Sequence, residues 1–201
     1  SPAPVCSPSR SAIITGSDAI RVGAQHQRSS RFSGEEIYLP DGVETVPEVF
    51  RKAGYFTFNR GKDDYNFVYD RTKLYSTGNT GVDPGKLKGV QAGKGNWSEC
   101  PEGMPFFALI QTWGGKHAYS HGDLSAYMTT VNTKAVDPAD VTVPPQYPDI
   151  PEMRELIAGQ LSTMMISDYE VGEIINKLKD DGLWENTVIF LISDHGSLLP
   201  R

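Results

Sequence analysis

The chain has 201 residues, of which 38% are apolar, 22% charged and 10% aromatic, the make-up of an ordinary globular domain rather than a disordered or fibrous segment. A formal charge of −6 argues against the broad basic surface that nucleic acid requires, though a small cationic pocket for an anion can hide within an acidic average. No apolar run reaches the 18 or so residues of a membrane span, and Cys6 and Cys100 match no zinc spacing.

The first element is a helix over "SPSRSAIITG", with Ser7 as N-cap, Pro8 at the first helical position and Gly16 as the stop. Cys6 then precedes the cap, at a helix mouth where backbone N–H groups and the helix dipole favour an anion. A disulfide with Cys100 is the plainer use of that thiol. A polar loop runs to about residue 44. "TVPEVFRKAGYFTF" then reads as a short helix from Pro47 to Ala53, a stop at Gly54 and the strand "YFTF", with Gly61 and Lys62 just past its end.

Residues 76–104 are glycine-rich without apolar period and read as a long irregular loop. Neither "GVDPGKL" nor "GVQAGKG" has the spacing of a phosphate loop. Trp97 there either stacks on a sugar face or simply packs. "PFFALIQTW" is a buried strand, followed by a loop carrying Lys116, His117 and His121; His121 and the earlier His26 read as loop-surface residues. From Pro151 to Asp181 apolar residues recur at helical spacing, giving one long helix, with a kink expected near Asp168, a stop at Gly182 and the pair Met164 and Met165 as core filling. "TVIFLIS" is then a fully buried strand delivering Asp194, His195 and Gly196 at its carboxyl end.

Helices alternating with apolar strands imply an α/β sandwich with a mainly parallel sheet, in which working groups collect beyond the strand carboxyl ends. Lys62, Lys116 with His117, and Asp194 with His195 all fall there, and Cys6 adds a thiol at the helix mouth. Cations, a carboxylate–imidazole pair and a thiol around an anion hole point to a hydrolase of an anionic ester.

"CSPSR" fits the Cys-x-Pro-x-Arg signature of the type I sulfatases, a match expected by chance on the order of once in 100 chains of this length. "GYFTFNRGKDDYNF" resembles that family's Gly-Tyr…Gly-Lys block, and "VIFLISDHG" its metal-binding strand. The order and spacing fit over nearly the whole chain. "LPDGVETVPEVFRKAGYFTFNRGKDDYNF" and "VTVPPQYPDIPEMRELIAGQLSTM" look most like the group that includes heparan N-sulfatase. The resemblance implies an alkaline-phosphatase-like sandwich and a cysteine oxidised by a separate formylglycine-generating enzyme. It also implies a hydrated aldehyde whose one hydroxyl takes the sulfuryl group while the other lets sulfate leave by elimination.

By the same resemblance, Arg10 holds the modified residue and the metal surroundings, and Lys62 contacts sulfate. Lys116 or His117 supplies the next sulfate contact. Cys6, Asp194 and His195 ligate a divalent metal, in this family usually calcium; many members carry Asn at the position of His195. The implied substrate is a sulfated carbohydrate or aryl sulfate, with no nucleic acid or membrane partner, and the implied location is periplasmic, secreted or lysosomal.

Residues 1–201 read as an incomplete catalytic domain, because the family's upstream Asp pair, a downstream lysine and a smaller C-terminal domain are not among them. Half the metal ligands would then be present, and the isolated 201 residues are expected to be inactive. A phosphomonoesterase or phosphodiesterase of the alkaline phosphatase superfamily is the rival enzyme, and a degenerate sulfatase-like fragment or binding protein the rival non-enzyme.

Overall fold

The computed structural model describes residues 4–32, 34–78, 92–112, 114, 128–129 and 133–196. They fall into two compact units, one of residues 1–111 with 190–201, the other of residues 112–189.

In the first unit α1 (Cys6–Thr15) is entered from the extended residue Val5 and closed by Gly16, whose φ of 63° is the left-handed conformation that glycine adopts without a Cβ clash. Ser7 is therefore inside the first turn rather than its cap: its N–H donates to Oε1 of Gln27, a side chain from a distant loop that does the capping instead. In α2 (Val46–Lys52) the carboxylate of Glu48 accepts from both the N–H and the hydroxyl of Thr45, fixing the first turn.

β1 (Phe56–Lys62) follows the Gly54 turn and runs further than "YFTF", with Gly61 and Lys62 as its last two residues. Its extension comes from β2 (Ala92–Lys94), which pairs antiparallel with Arg60, Gly61 and Lys62. A strand and a single helical turn over Trp97–Glu99 thus stand where composition suggests only loop. On the other side β3 (Phe106–Ile110) pairs in parallel, Phe56 opposite Phe106 through Arg60 opposite Ile110. The described sheet has the order β2-β1-β3 and is mixed, with one parallel and one antiparallel pairing. The α/β expectation holds.

The central strand buries Phe56, Thr57, Phe58 and Asn59. A cluster of Ile14, Tyr65, Phe67, Leu74 and Tyr75 joins α1, the loop after β1 and α3 (Arg71–Leu74). Each such side chain withdrawn from water stabilises the fold by about 1.5–3 kcal/mol. Trp97 is buried and stacked on Phe106 with ring centroids 6.1 Å apart, so packing decides its role. No disulfide joins Cys6 to Cys100.

In the second unit α4 (Pro151–Asp180) runs unbroken through Asp168 and ends at Gly182, φ 70°. Its start is latched by Arg154, which pairs with Asp149 and donates to the Val141 carbonyl. Ile157, Ala158, Ser162, Thr163 and Ile166 are buried, whereas Met164 and Met165 are exposed and do not fill a core. No helix among the described residues is long and apolar enough to cross a membrane.

"TVIFLIS" departs most from its composition. Residues 187–193 form no strand, and Val188 and Phe190 are 79% and 83% exposed. Apolar β-branched residues favour a ladder, but without a neighbouring strand among the described residues their backbone groups have nothing to pair with.

Candidate active site

Cys6 is the first helical residue of α1 and is buried, so its side chain stands at the positive end of the helix dipole, where Gln27 accepts from the Ser7 N–H, Pro8 has no N–H and the Ser9 N–H donates to the Val5 carbonyl. Its Sγ is 3.2 Å from Nε2 of His195. The other ring nitrogen of His195, Nδ1, is 3.0 Å from the carbonyl oxygen of Gly196. A carbonyl can only accept, so Nδ1 carries the hydrogen, and in the neutral ring Nε2 is left to accept from the thiol.

Asp194 is held to the same place through its backbone, whose carbonyl accepts from the Ser9 hydroxyl one turn into α1. The Asp194 carboxylate lies 3.7 Å from Nε2 of His195, an ion-pair distance rather than a hydrogen bond. One donor atom each from Cys6, Asp194 and His195 falls within 4.8 Å of the others, a spacing that suits a shared cation.

The chemistry of that donor set depends on the state of Cys6. As a thiolate, sulfur with an imidazole and one carboxylate suits a borderline metal such as zinc. With the sulfur replaced by aldehyde-hydrate oxygen the set becomes two oxygens and one nitrogen, nearer to the preference of calcium, which takes 6–8 oxygen ligands. The fit to calcium is therefore partial. Beside Cys6, the fully buried Ser7 hydroxyl has no hydrogen-bond partner among the described residues.

Arg10 reaches from α1 to the end of β1, donating from Nε to the Asp63 carbonyl at 2.8 Å and from Nη2 to the Lys62 carbonyl at 2.5 Å. It fastens the helix to the strand end rather than gripping the Cys6 side chain. The Lys62 N–H donates to Oε1 of Gln111, and its ammonium to Asp64 at 3.3 Å with only 11% of the side chain exposed. Directly beneath, the buried carboxylate of Asp63 accepts from Asn59, Tyr69 and Arg71. This network holds the turn after Lys62 rigid.

Cys6, Asp194 and His195 are thus brought together, and Arg10 and Lys62 are joined through the backbone of one turn. Lys116 and His117 lie outside the described residues. Sequence reasoning passed over Gln27, Asp63 and Asp64. The two adjacent aspartates after Lys62 were the available signal, since carboxylates without solvent need cations close by.

The family model described as Sulfatase matches residues 1–200. An ulvan-active sulfatase of Formosa agariphila is 27% identical over 98% of this chain and 37% of its own length. The human N-sulphoglucosamine sulphohydrolase is 26% identical over 97% of this chain and 42% of its own length. The chain therefore spans less than half of either relative. Among solved structures, a phosphonate monoester hydrolase from Silicibacter pomeroyi superposes with a TM-score of 0.46 at 16% identity, covering 90% of this chain and 51% of that one.

Proposed function

Since this chain belongs to the sulfatase family, we propose that the full-length protein hydrolyses a sulfate ester or N-sulfate of a carbohydrate, using Cys6 after its conversion to formylglycine. The carrying observation is the placement of Cys6 at the start of α1, 3.2 Å from His195 and within one small donor cluster with Asp194. Two relatives are named for ulvan and for N-sulphoglucosamine, which supports a sulfated sugar, while a third is named an arylsulfatase.

Hydrated formylglycine supplies a nucleophilic oxygen and a second hydroxyl through which sulfate can be released. The positive end of the α1 dipole and the ammonium of Lys62 stabilise the charge that builds on the sulfuryl oxygens. Lys116 or His117 adds a further sulfate contact. Arg10 keeps α1 and the Lys62 turn in register, because its guanidinium bridges the carbonyls of Lys62, the last residue of β1, and of Asp63 after it. Asp194, His195 and the oxygen at position 6 would hold a divalent cation, calcium by family, which would lower the cost of gathering anions there. The formylglycine-generating enzyme is the maturation partner, and export to the periplasm or outside the cell accompanies a polysaccharide substrate.

The test is co-expression of the full-length protein with a formylglycine-generating enzyme. Peptide mass analysis should show the Cys6 peptide lighter by about 18 Da, the exchange of SH and H for a carbonyl oxygen. Sulfate release should follow from a panel of N- and O-sulfated monosaccharides. Persistence of the thiol, or turnover of phosphate monoesters alone, would overturn the reading.

A further inference from the structure

Two non-glycine residues of the described chain have left-handed backbone, Arg28 with φ 58° and Asp64 with φ 55°, and they are bonded to each other. Side chains other than glycine rarely adopt this conformation, and where they do the surroundings hold them there. Here the hold is a two-point pair: Arg28 donates from Nε to Oδ1 and from Nη2 to Oδ2 of Asp64, each at 2.8 Å. The Asp64 carboxylate is fully buried, and its Oδ2 also receives the ammonium of Lys62 at 3.3 Å. One carboxylate thus gathers two cations, and the trio carries a net charge of +1.

The trio is linked to α1 at two points. Gln27, the residue before Arg28, accepts from the N–H of Ser7, the residue after Cys6. Lys62 is tied to α1 through Arg10. The hydrogen bond to Asp64 raises the Arg28 guanidinium above its ordinary range, so it stays charged. Asp64 occupies only Nε and Nη2. Among the described residues Nη1 has no partner, and the Arg28 side chain is 35% exposed. A guanidinium held side-on with its outer edge open is arranged to receive an oxyanion.

We infer that Arg28 is an additional cation for the sulfuryl group bound at Cys6, and that Asp64 is the positioning residue that sets Arg28 and Lys62 together. The inference rests on the sulfatase reading for the identity of the anion. A lysine at position 28 could not bond Asp64 at two points and still present a donor outward, so the charge alone does not suffice.

The experiment uses the full-length protein in two forms. With Cys6 left unconverted, inorganic sulfate binding is measured by calorimetry for the wild type, Arg28→Met, Arg28→Lys and Asp64→Asn. With Cys6 converted, kcat and KM are measured on the best sulfated monosaccharide. Loss of one charged contact predicts sulfate affinity lower by about 10- to 100-fold in Arg28→Met. Arg28→Lys should recover only part of it.

Asp64→Asn should lower kcat more than it raises KM, since it loosens Lys62 as well; the partly exposed Arg28 variants keep the test alive if that protein does not fold. Wild-type sulfate affinity and kcat/KM in Arg28→Met, with the parent hydrolysing sulfate esters, would overturn the inference and leave the sulfatase reading standing. Arg28-dependent sulfate binding by a protein that cleaves no sulfate ester would do the reverse. A parent that binds no sulfate at all would overturn the assignment of Arg28.

Discussion

The sulfur of Cys6 and Nε2 of His195 stand 3.2 Å apart across 189 positions of sequence. The contact ties the start of α1 to the Asp194–His195 turn, so two segments far apart in sequence meet at one site. Replacing Asp194 by Ala in the matured full-length protein removes the carboxylate of the cluster and should lower kcat about 100-fold or more, since metal ligands and their supports carry effects of that size. His195→Asn keeps a polar donor of similar reach and should stay within about 10-fold of the parent. Assays before and after treatment with a calcium chelator check the metal: activity that returns on adding calcium is the expected outcome.

Backbone space sets two glycine substitutions in opposite directions. Gly61 has a φ of 135°, and a Cβ there would sit 2.6 Å from Cβ of Gln111. Gly61→Ala should destabilise by about 3 kcal/mol through strain and overpacking, and displace the adjacent Lys62. Gly172 lies within α4 with nothing inside 4 Å of its missing Cβ. Gly172→Ala should therefore stabilise by about 1 kcal/mol, the difference in helix propensity. Urea unfolding midpoints of the two variants, measured side by side, read the contrast.

Arg71 is the largest fully buried side chain among the described residues, and it pairs with the equally buried Asp63 at 2.8 Å. It also lies over the Tyr75 ring, 4.6 Å from the centroid. Arg71→Met strands the Asp63 charge in a dry place and should cost about 3–5 kcal/mol. Adding Asp63→Asn to it removes the stranded charge, so the double variant should be more stable than Arg71→Met alone. Additive losses in that cycle would mean that the ion pair is not what the arginine contributes.

Alkaline stability should fall more steeply than net charge requires. Burial pushes the phenols of Tyr65, Tyr69 and Tyr75 well above the ordinary tyrosine range, with the nearby charge of Asp63 adding to it. In the unfolded chain these phenols ionise near pH 10, so above that pH the folded state binds more protons than the unfolded one. Stability is then fully present below about pH 10 and is lost as pH rises, by up to about 1.4 kcal/mol per pH unit for each phenol. Tyr75→Phe should flatten the slope of thermal midpoint against pH between about 10 and 11, at the expense of the bond between the Tyr65 and Tyr75 hydroxyls. An unchanged slope would remove Tyr75 from the account.

What the amino-acid sequence determined by itself is local. The motif "CSPSR" marked Cys6 and Arg10, Gly16 and Gly182 closed their helices, and the apolar period found α4 nearly to the residue, because a single helix face and a positive φ are properties of short windows. The tertiary structure decided whatever depends on a partner. β1 extends through polar Asn59, Arg60, Gly61 and Lys62 because β2 pairs with its last three residues, and no property of those residues alone announces it. "TVIFLIS" has the composition of a buried strand yet is exposed, since a ladder needs a neighbour and hydrophobicity does not supply one. The meeting of Cys6 with His195, 189 positions apart, and of Arg28 with Asp64, 36 positions apart, are likewise non-local, since only the folded chain brings residues so distant in sequence together.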